Sequence, residues 1–238
     1  LDNDGDADAV LANRFSVTVL KNDGKAHFAV VRTIDTESRV SGLSAADYDH
    51  DGDLDFYVCG YSPMSQTSPE DIFANPVPYE DANNGAFNYL FRNEGDLAFT
   101  DATAETGLNI NNTRFSFCSA WEDFDNDGDQ DLYVANDYGR NCLYRNDAGK
   151  FTDVAPQLGV EDTSSGMSVS WSDFNNDGLM DLYTSNMFSS AGNRITYQRQ
   201  FKSDLPEAVR AQFQHIAQGN SLFQGAPGGT FQDVSLQA

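Results

Sequence analysis

Positive charge is scarce in this sequence. Among 238 residues, 14 are Lys or Arg and 37 are Asp or Glu, which leaves a formal net charge of −23 at pH 7. Nucleic acids and anionic membrane surfaces are bound by clusters of basic side chains, and the basic residues here form no such cluster. The composition therefore excludes nucleic acid as the expected partner.

Long hydrophobic runs are missing as well. No apolar segment reaches the roughly 18 residues of a membrane span, and no basic start followed by an apolar segment marks a signal peptide. We therefore expect no membrane span. The first residue is Leu1 rather than Met, which fits a mature or shortened chain, so the missing signal carries no information about export.

Cysteine is equally rare, with three residues in the whole chain. Cys59, Cys118 and Cys142 are odd in number and follow no zinc spacing, so we interpret them as small core residues. A disulfide between two of them is the alternative in an oxidising compartment.

Histidine is the third scarce residue type that bears on function. His50 occupies a variable loop position where exposure is expected, and His27 and His215 have no partner visible in the sequence. No Ser, Cys or His constellation emerges, so the sequence predicts no catalytic residues.

What the sequence has in abundance is aspartate, concentrated in repeats of one pattern. The clearest copy, DFDNDGDQD at 123–131, is followed at once by Leu-Tyr-Val. Close carboxylates repel one another by roughly 1 kcal/mol per pair in water, so this density indicates a bound cation. A flexible cage of oxygen ligands suits Ca²⁺ better than Mg²⁺. Gly128 allows the sharp turn that brings the ends of the loop together.

The pattern resembles an EF-hand loop but departs from it at the twelfth position. An EF-hand needs a bidentate Glu there, and this sequence has Val134. No amphipathic helical pattern flanks the loop, and a β-branched and aromatic run follows it, so the loop joins two strands.

The same loop occurs four times. Further copies lie at 47–55 and 173–181, and a truncated copy starts with Asp2. A solvated acidic turn is the alternative for a single copy, and four copies in register argue against it. We predict side-chain ligands at loop positions 1, 3, 5 and 9 and a backbone carbonyl ligand at position 7. The predicted metal-binding residues are Asp2, Asp4, Asp6, Asp8, Asp47, Asp49, Asp51, Asp53, Asp55, Asp123, Asp125, Asp127, Asp129, Asp131, Asp173, Asn175, Asp177, Leu179 and Asp181.

A second motif follows each loop and completes a structural unit. Asn-x-Leu-Phe/Tyr-Arg-Asn at 88–93 and 141–146 leads to Phe-Thr-Asp at 99–101 and 151–153, and 220–225 with 231–233 is a looser copy. Each repeat supplies four antiparallel strands in about 50 residues, which is one blade of a β-propeller. The predicted fold is all-β, with blades at approximately 1–33, 34–104, 105–157 and 158–238, the first without its innermost strand.

These loops and hairpins resemble the FG-GAP or VCBS repeats of integrin-α-type propellers, in the version found in bacterial relatives of cartilage acidic protein. The resemblance covers nearly the whole chain and is specific for fold and calcium but not for ligand. It implies a seven-bladed, extracytoplasmic propeller without catalytic activity of its own. This chain departs from that pattern in having only four loops.

Two tryptophans share one column of the repeat. Trp121 and Trp171 lie in the first strands of blades three and four. We predict that they pack between neighbouring blades, with a sugar-stacking platform as the alternative. The four blades should form an open arc, so that further blades or other polypeptide cover the two end faces.

Inserts at 61–87 and 187–219 interrupt blades two and four between their second and third strands. The first insert, with Pro69, Pro76 and Pro78, is predicted to be a surface loop. In the second, a cap at Asp204 and an apolar stripe predict a helix at about 205–217 that packs on the propeller, with a partner-binding helix as the alternative. The stripe consists of Leu205, Val209, Phe213 and Ile216.

Strand direction places the inserts and the calcium loops on opposite faces of the molecule, because consecutive connections of antiparallel strands alternate. The inserted face is the predicted binding site for a protein or carbohydrate ligand. We expect a recognition, adhesion or assembly module rather than an enzyme, located outside the cytoplasm: extracellular, at the cell surface or periplasmic. The alternative is a calcium-dependent polysaccharide lyase or hydrolase, which a buried, metal-free Asp, Lys or His between the inserts would favour.

Overall fold

The computed structural model describes residues 1–64 and 75–236, and within these ranges the chain forms four antiparallel sheets. Every sheet has its strands side by side in chain order, as the blades of a propeller do. The strands are β1 Ala9–Ala12, β2 Ser16–Asn22 and β3 Phe28–Asp35; β4 Ser38–Ala46, β5 Asp55–Pro63, β6 Tyr89–Asn93 and β7 Phe99–Asp101; β8 Phe115–Glu122, β9 Asp131–Tyr138, β10 Cys142–Asn146 and β11 Phe151–Asp153; β12 Gly166–Ser172, β13 Asp181–Asn186, β14 Ser221–Ala226 and β15 Thr230–Asp233.

The innermost strands of neighbouring sheets lie next to one another. Strand β8 contacts β4 on one side and β12 on the other, and β1 approaches β4. Small side chains allow this approach: Ser41 Oγ donates to the Ser116 carbonyl at 2.7 Å, and a Cβ at Gly42 would lie 2.7 Å from the Phe117 carbonyl oxygen. Among the described residues the close neighbours run from the first sheet to the second, the second to the third and the third to the fourth, an order that fits the predicted open arc.

Aromatic residues fill the space between sheets. Tyr57 of the second sheet meets Trp121 of the third with ring centroids 6.4 Å apart, and Tyr133 of the third meets Trp171 of the fourth at 6.2 Å. Both pairs are edge-on, a favourable aromatic geometry. The prediction that the tryptophans pack between blades is confirmed, and equivalent residues of the repeat join the second sheet to the third and the third to the fourth.

The cysteines are free thiols, and two of them belong to this packing. Cys59 and Cys142 are buried in the core between the second and third sheets, and Cys118 is partly exposed. Burial raises the pKa of Cys59 and of Cys142 to about 12. The structure therefore supports the core interpretation and not the disulfide.

Four helices accompany the sheets in the described part of the chain: α1 Thr103–Thr106, α2 Ala155–Leu158, α3 Ser190–Thr196 and α4 Glu207–Gln218. The helix predicted at about 205–217 is confirmed as α4. Its predicted cap is wrong, since Pro206 occupies the N-cap position and no side chain caps the helix. Helix α3 was not predicted; Ser189 caps it by accepting a hydrogen bond from the Gly192 amide at 2.9 Å. None of these helices is long and apolar enough to cross a membrane.

The two inserts meet each other. Tyr79, in a 3₁₀ turn at Tyr79–Asp81 of the first insert, stacks on Phe213 of α4 with centroids 6.0 Å apart and also contacts Tyr138 at the end of β9. Phe213 of the apolar stripe thus packs on the first insert, and α4 lies against α3, whereas the sequence predicted that the helix packs on the propeller. Residues 65–74, including Pro69, lie outside the described residues.

Candidate metal centre

Two of the four acidic loops bring carboxylates together around one point. One oxygen from each of Asp47, Asp49 and Asp55 lies within 4.8 Å of the others, and the same holds for Asp123, Asp125 and Asp127. Oxygen ligands lie at about 2.3–2.6 Å from Ca²⁺, so ligands on one ion are separated by at most about 5 Å. Both clusters have the dimensions of a shared coordination sphere.

Backbone hydrogen bonds explain how the loop takes this shape. The two oxygens of Asp123 accept from the Asp127 and Gly128 amides, each at 3.0 Å, and the first aspartates of the second and fourth loops accept from the equivalent amides. Gly128 has φ 100° and Asn126 has φ 60°, both in the left-handed region. The glycine therefore supplies the predicted turn, and Asn126 tolerates a conformation that other residues avoid.

Position 3 within the second and third loops, occupied by Asp49 and Asp125, gives the strongest indication of a cation. Asp49 Oδ1 and Asp125 Oδ1 are buried and accept no hydrogen bond. Burial raises the pKa of both carboxyls, and the neighbouring carboxylates Asp51 and Asp127 raise it further. A buried carboxylate oxygen without a partner is costly, and a cation in contact with it removes that cost. The donor set, all oxygen and highly charged, fits calcium.

The ninth loop position is buried at the ends of the strands. Asp131 Oδ1 accepts from the Asn146 amide at 2.8 Å and Oδ2 from the Phe124 amide at 3.1 Å, and Asp55 has the equivalent partners. Burial raises the pKa of Asp55 to about 7 and of Asp131 to about 8. These aspartates, predicted as ligands, also connect the loop to the third strand of their sheet.

Asn146 also supports the loops, although the sequence indicated only that it belongs to the strand motif at 141–146. Asn146 Nδ2 donates to the carbonyl of Gln130, in the third loop, at 3.1 Å and to that of Tyr48, in the second loop, at 2.8 Å. Asn93 makes the equivalent bonds to Leu54 and Leu1. The recurrence of this asparagine as the last residue of the motifs at 88–93 and 141–146 was the available signal.

The first and fourth loops differ from the two regular ones. In the first, Lys21 Nζ contacts Asp2 and lies 3.2 Å from Asp4 Oδ2, and it holds the pKa of Asp2 below its usual value. In the fourth, Asn175 Nδ2 donates to Asp177 Oδ2 at 2.8 Å. Among the described residues, neither loop gathers three acidic ligand atoms within 4.8 Å.

Neighbouring loops contact each other along one rim. Asn3 Nδ2 donates to Asp53 Oδ1 at 2.7 Å, and His50 Nε2 lies 3.1 Å from Asp129 Oδ1. His50 is exposed, as predicted. At the seventh loop position the side chains of Asp53 and Asp129 thus face the preceding loop, which leaves their backbone carbonyls for the predicted role.

On the opposite face, near the inserts, two carboxylates are buried away from the loops. Asp137 accepts a hydrogen bond from the Tyr61 hydroxyl at 2.6 Å, its Oδ1 has no partner, and burial raises its pKa. Asp162 lies 2.8 Å from His215 Nε2 on α4 and accepts from Asn186. His215 therefore has a partner that the sequence did not reveal, because the fold brings together residues far apart in sequence. His27 also has a partner, the nearby Asp23 at 3.0 Å.

Comparison with known proteins gives a family and weak structural likenesses. A model of the FG-GAP-like repeat matches residues 1–58 and 123–184, which together contain all four loops. A search of curated proteins found no match. Two similar solved structures are crystal structures of BBS1N in complex with ARL6DN, one soaked with mercury and one with lead. They share 9% and 11% sequence identity with TM-scores of 0.42 and 0.44, and the alignments cover 77% and 78% of this chain. The chain spans 43% and 48% of the length of those chains.

Proposed function

This chain belongs to the FG-GAP-like repeat family, and from that premise we propose that it is a calcium-binding β-propeller module for recognition, adhesion or assembly. One observation carries the calcium proposal: Asp49 and Asp125 each hold a buried carboxylate oxygen that has no hydrogen-bond partner inside a ring of acidic groups. Calcium bound there would neutralise carboxylates that repel one another.

The proposed ligands are those at positions 1, 3, 5, 7 and 9 of the loops at 47–55, 123–131 and 173–181. The ion's role is structural, because each loop connects the first and second strands of a sheet, and closing it fixes both strand ends. The fourth loop should bind more weakly, since Asn175 replaces a carboxylate and its amide already donates to Asp177.

Calorimetric titration with Ca²⁺ and melting curves with and without EGTA test the proposal. Asp49→Asn and Asp125→Asn should each remove one high-affinity ion and lessen the stabilisation by calcium. Asp35→Asn is the matched control, because it removes the same charge from an exposed residue outside the loops. A chain that takes up no calcium, or whose melting temperature EGTA leaves unchanged, would contradict it.

We also propose that further blades, as in a seven-bladed parent propeller, or another polypeptide cover the end faces of the arc. Tyr183 and Phe174 on the fourth sheet are exposed, whereas the equivalent residues of the second sheet, Tyr57 and Tyr48, are buried against the third. At the other end, β3 is exposed along nearly its whole length. Apolar faces of this kind favour association.

The proposed recognition face is the one built by the inserts 61–87 and 187–219, where a protein or carbohydrate would bind. Its support is the direct contact between the inserts through Tyr79 and Phe213. Calcium of modest affinity is abundant outside the cytoplasm, so we propose an extracellular, cell-surface or periplasmic location. Fractionation that recovers the native protein from the cytoplasm would contradict this location.

Asp137 favours a second candidate, the calcium-dependent polysaccharide lyase or hydrolase. It is the kind of group that such an enzyme would need: buried, distant from the acidic loops, with a raised pKa and one oxygen without a partner. Propellers of this repeat family are typically non-enzymatic, so the module remains the first proposal. Turnover of an anionic polysaccharide that Asp137→Asn abolishes, with folding intact, would decide for the enzyme.

A further inference from the structure

We propose that the ammonium group of Lys21 is the cation that holds Asp2 and Asp4 of the first loop together, so that these two carboxylates need no metal ion between them. The inference deepens the proposed function and depends on it, because it divides the four loops into one that carries its own counterion and others that need calcium. The evidence is a comparison of equivalent positions within one chain.

The contacts of Lys21 satisfy the carboxylates that a metal would otherwise neutralise. Its Nζ contacts Asp2 Oδ2 and lies 3.2 Å from Asp4 Oδ2. The other oxygens of these residues accept backbone amides, Asp2 Oδ1 from Asp4 at 3.3 Å and Asp4 Oδ1 from Asp6 at 3.0 Å. Every side-chain oxygen of the pair therefore has a partner. In the second and third loops, Asp49 Oδ1 and Asp125 Oδ1 have none.

The equivalent residues of the second and third sheets are arginines that point to other acids. Lys21 precedes Asn22, whose amide donates to the ninth-position aspartate of the first loop, as the amides of Asn93 and Asn146 do in theirs. The residues in the same column are thus Arg92 and Arg145. Arg92 bonds to two glutamates beside its own hairpin, and Arg145 bonds to Asp147 at 3.0 Å.

Lys21 has no bond to Asp23, the acidic residue that follows it in the hairpin, because Asp23 has other partners. Two residues after the basic residue stand Asp147 in the third sheet and Glu94 in the second, and Asp23 is their counterpart in the first. Asp23 instead lies 3.0 Å from His27 Nδ1 and accepts the amides of Lys25 and His27. Lys21 is therefore free to turn toward the loop.

Lysine chemistry suits the task better than arginine chemistry. An ammonium is a compact charge on a flexible stem, with three donors that can turn toward carboxylates on different sides, whereas a guanidinium is planar and holds its donors in a fixed fork. A calcium ion entering the first loop would have to displace this group from both aspartates.

Crystals soaked with Ca²⁺ or Tb³⁺ provide the first test, through anomalous difference density. We expect peaks in the loops at 47–55 and 123–131, and Lys21 Nζ between Asp2 and Asp4 in the first loop. Peaks in no loop at all would contradict the proposed calcium module. A peak in the first loop with Lys21 displaced would overturn only the inference about Lys21.

Variants provide a second test in solution. Asp2→Asn should leave the number of calcium ions bound per chain unchanged, whereas Asp49→Asn removes one. Lys21→Gln should lower the melting temperature in EGTA, and Arg145→Gln, the matched control in the same repeat column, should change it much less. Loss of one ion in Asp2→Asn, or an unchanged EGTA melting temperature in Lys21→Gln, would overturn the inference.

Discussion

The third and fourth sheets have the same motifs in the same register, yet their outer surfaces differ. Tyr133 is 0% exposed against Trp171 of the next sheet, and its counterpart Tyr183 is 38% exposed. Phe124 is 5% exposed, and Phe174 is 50% exposed. The side chains are equivalent, so the difference lies in whether another sheet follows. In a repeat fold the stability of each unit depends on its neighbour, and identical residues contribute unequally.

Truncating the two equivalent tyrosines should give the largest effect. Tyr133→Ala removes a fully buried ring and a hydroxyl that donates to the Val160 carbonyl, and should cost about 3–5 kcal/mol of unfolding free energy. Tyr183→Ala, on the open face, should cost less than about 1 kcal/mol in this chain. Urea denaturation measures both. Equal losses would mean that Tyr183 is covered in solution, for example by a second copy.

The next difference concerns the asparagine beneath the third loop. Asn146→Gly should cost about 2 kcal/mol of unfolding free energy, because it leaves the buried carbonyl of Tyr48 and the partly buried carbonyl of Gln130 without their donor. The fourth sheet has Gly225 in this position, and the reverse change should not be tolerated, since a Cβ there would lie 2.4 Å from the Met180 carbonyl oxygen. Thermal melts of Asn146→Gly and Asn93→Gly should show similar losses. A negligible loss in both would show that water replaces the side chain.

A smaller difference is expected in the calcium affinity of the fourth loop. Asn175→Asp restores the carboxylate that the fourth loop lacks and removes an amide that donates to Asp177. Affinity for calcium at this loop should rise roughly tenfold, or about 1.4 kcal/mol. Titration calorimetry in the Asp49→Asn, Asp125→Asn background isolates this loop. Unchanged affinity would indicate that charge count does not limit binding there.

Sequence reasoning predicted most of the repeat architecture, since period-2 strands and aspartate loops recur in register. It also predicted α4, because Val209, Phe213 and Ile216 form one helical face. It missed α3, whose residues 190–196 show no comparable apolar periodicity. The stability of a helix with so little apolar periodicity depends on its capping serine and on its tertiary contacts.

The partners of individual side chains were the least predictable part. Lys21 and Arg92 occupy one repeat column and reach different acids, because the outcome depends on whether Asp23 or Glu94 is engaged locally. The partner of His215 lies far away in sequence and comes into contact only when α4 docks. Pattern analysis identifies ligand positions but not these long-range pairings.

The contact between α4 and the fourth sheet should produce the smallest effect, one that depends on pH. The bond to Asp162 raises the pKa of His215, with Asp233 adding to it, against a partial desolvation that lowers it. A raised folded-state pKa means that the stabilisation is complete below about pH 6.5 and is lost as the pH rises through the folded value. The unfolding free energy should therefore fall by up to about 1 kcal/mol between pH 6 and 9, and His215→Gln should remove that fall. Denaturation in EGTA at each pH excludes calcium as the cause. A pH dependence identical in His215→Gln and the unmodified chain would show that another group is responsible.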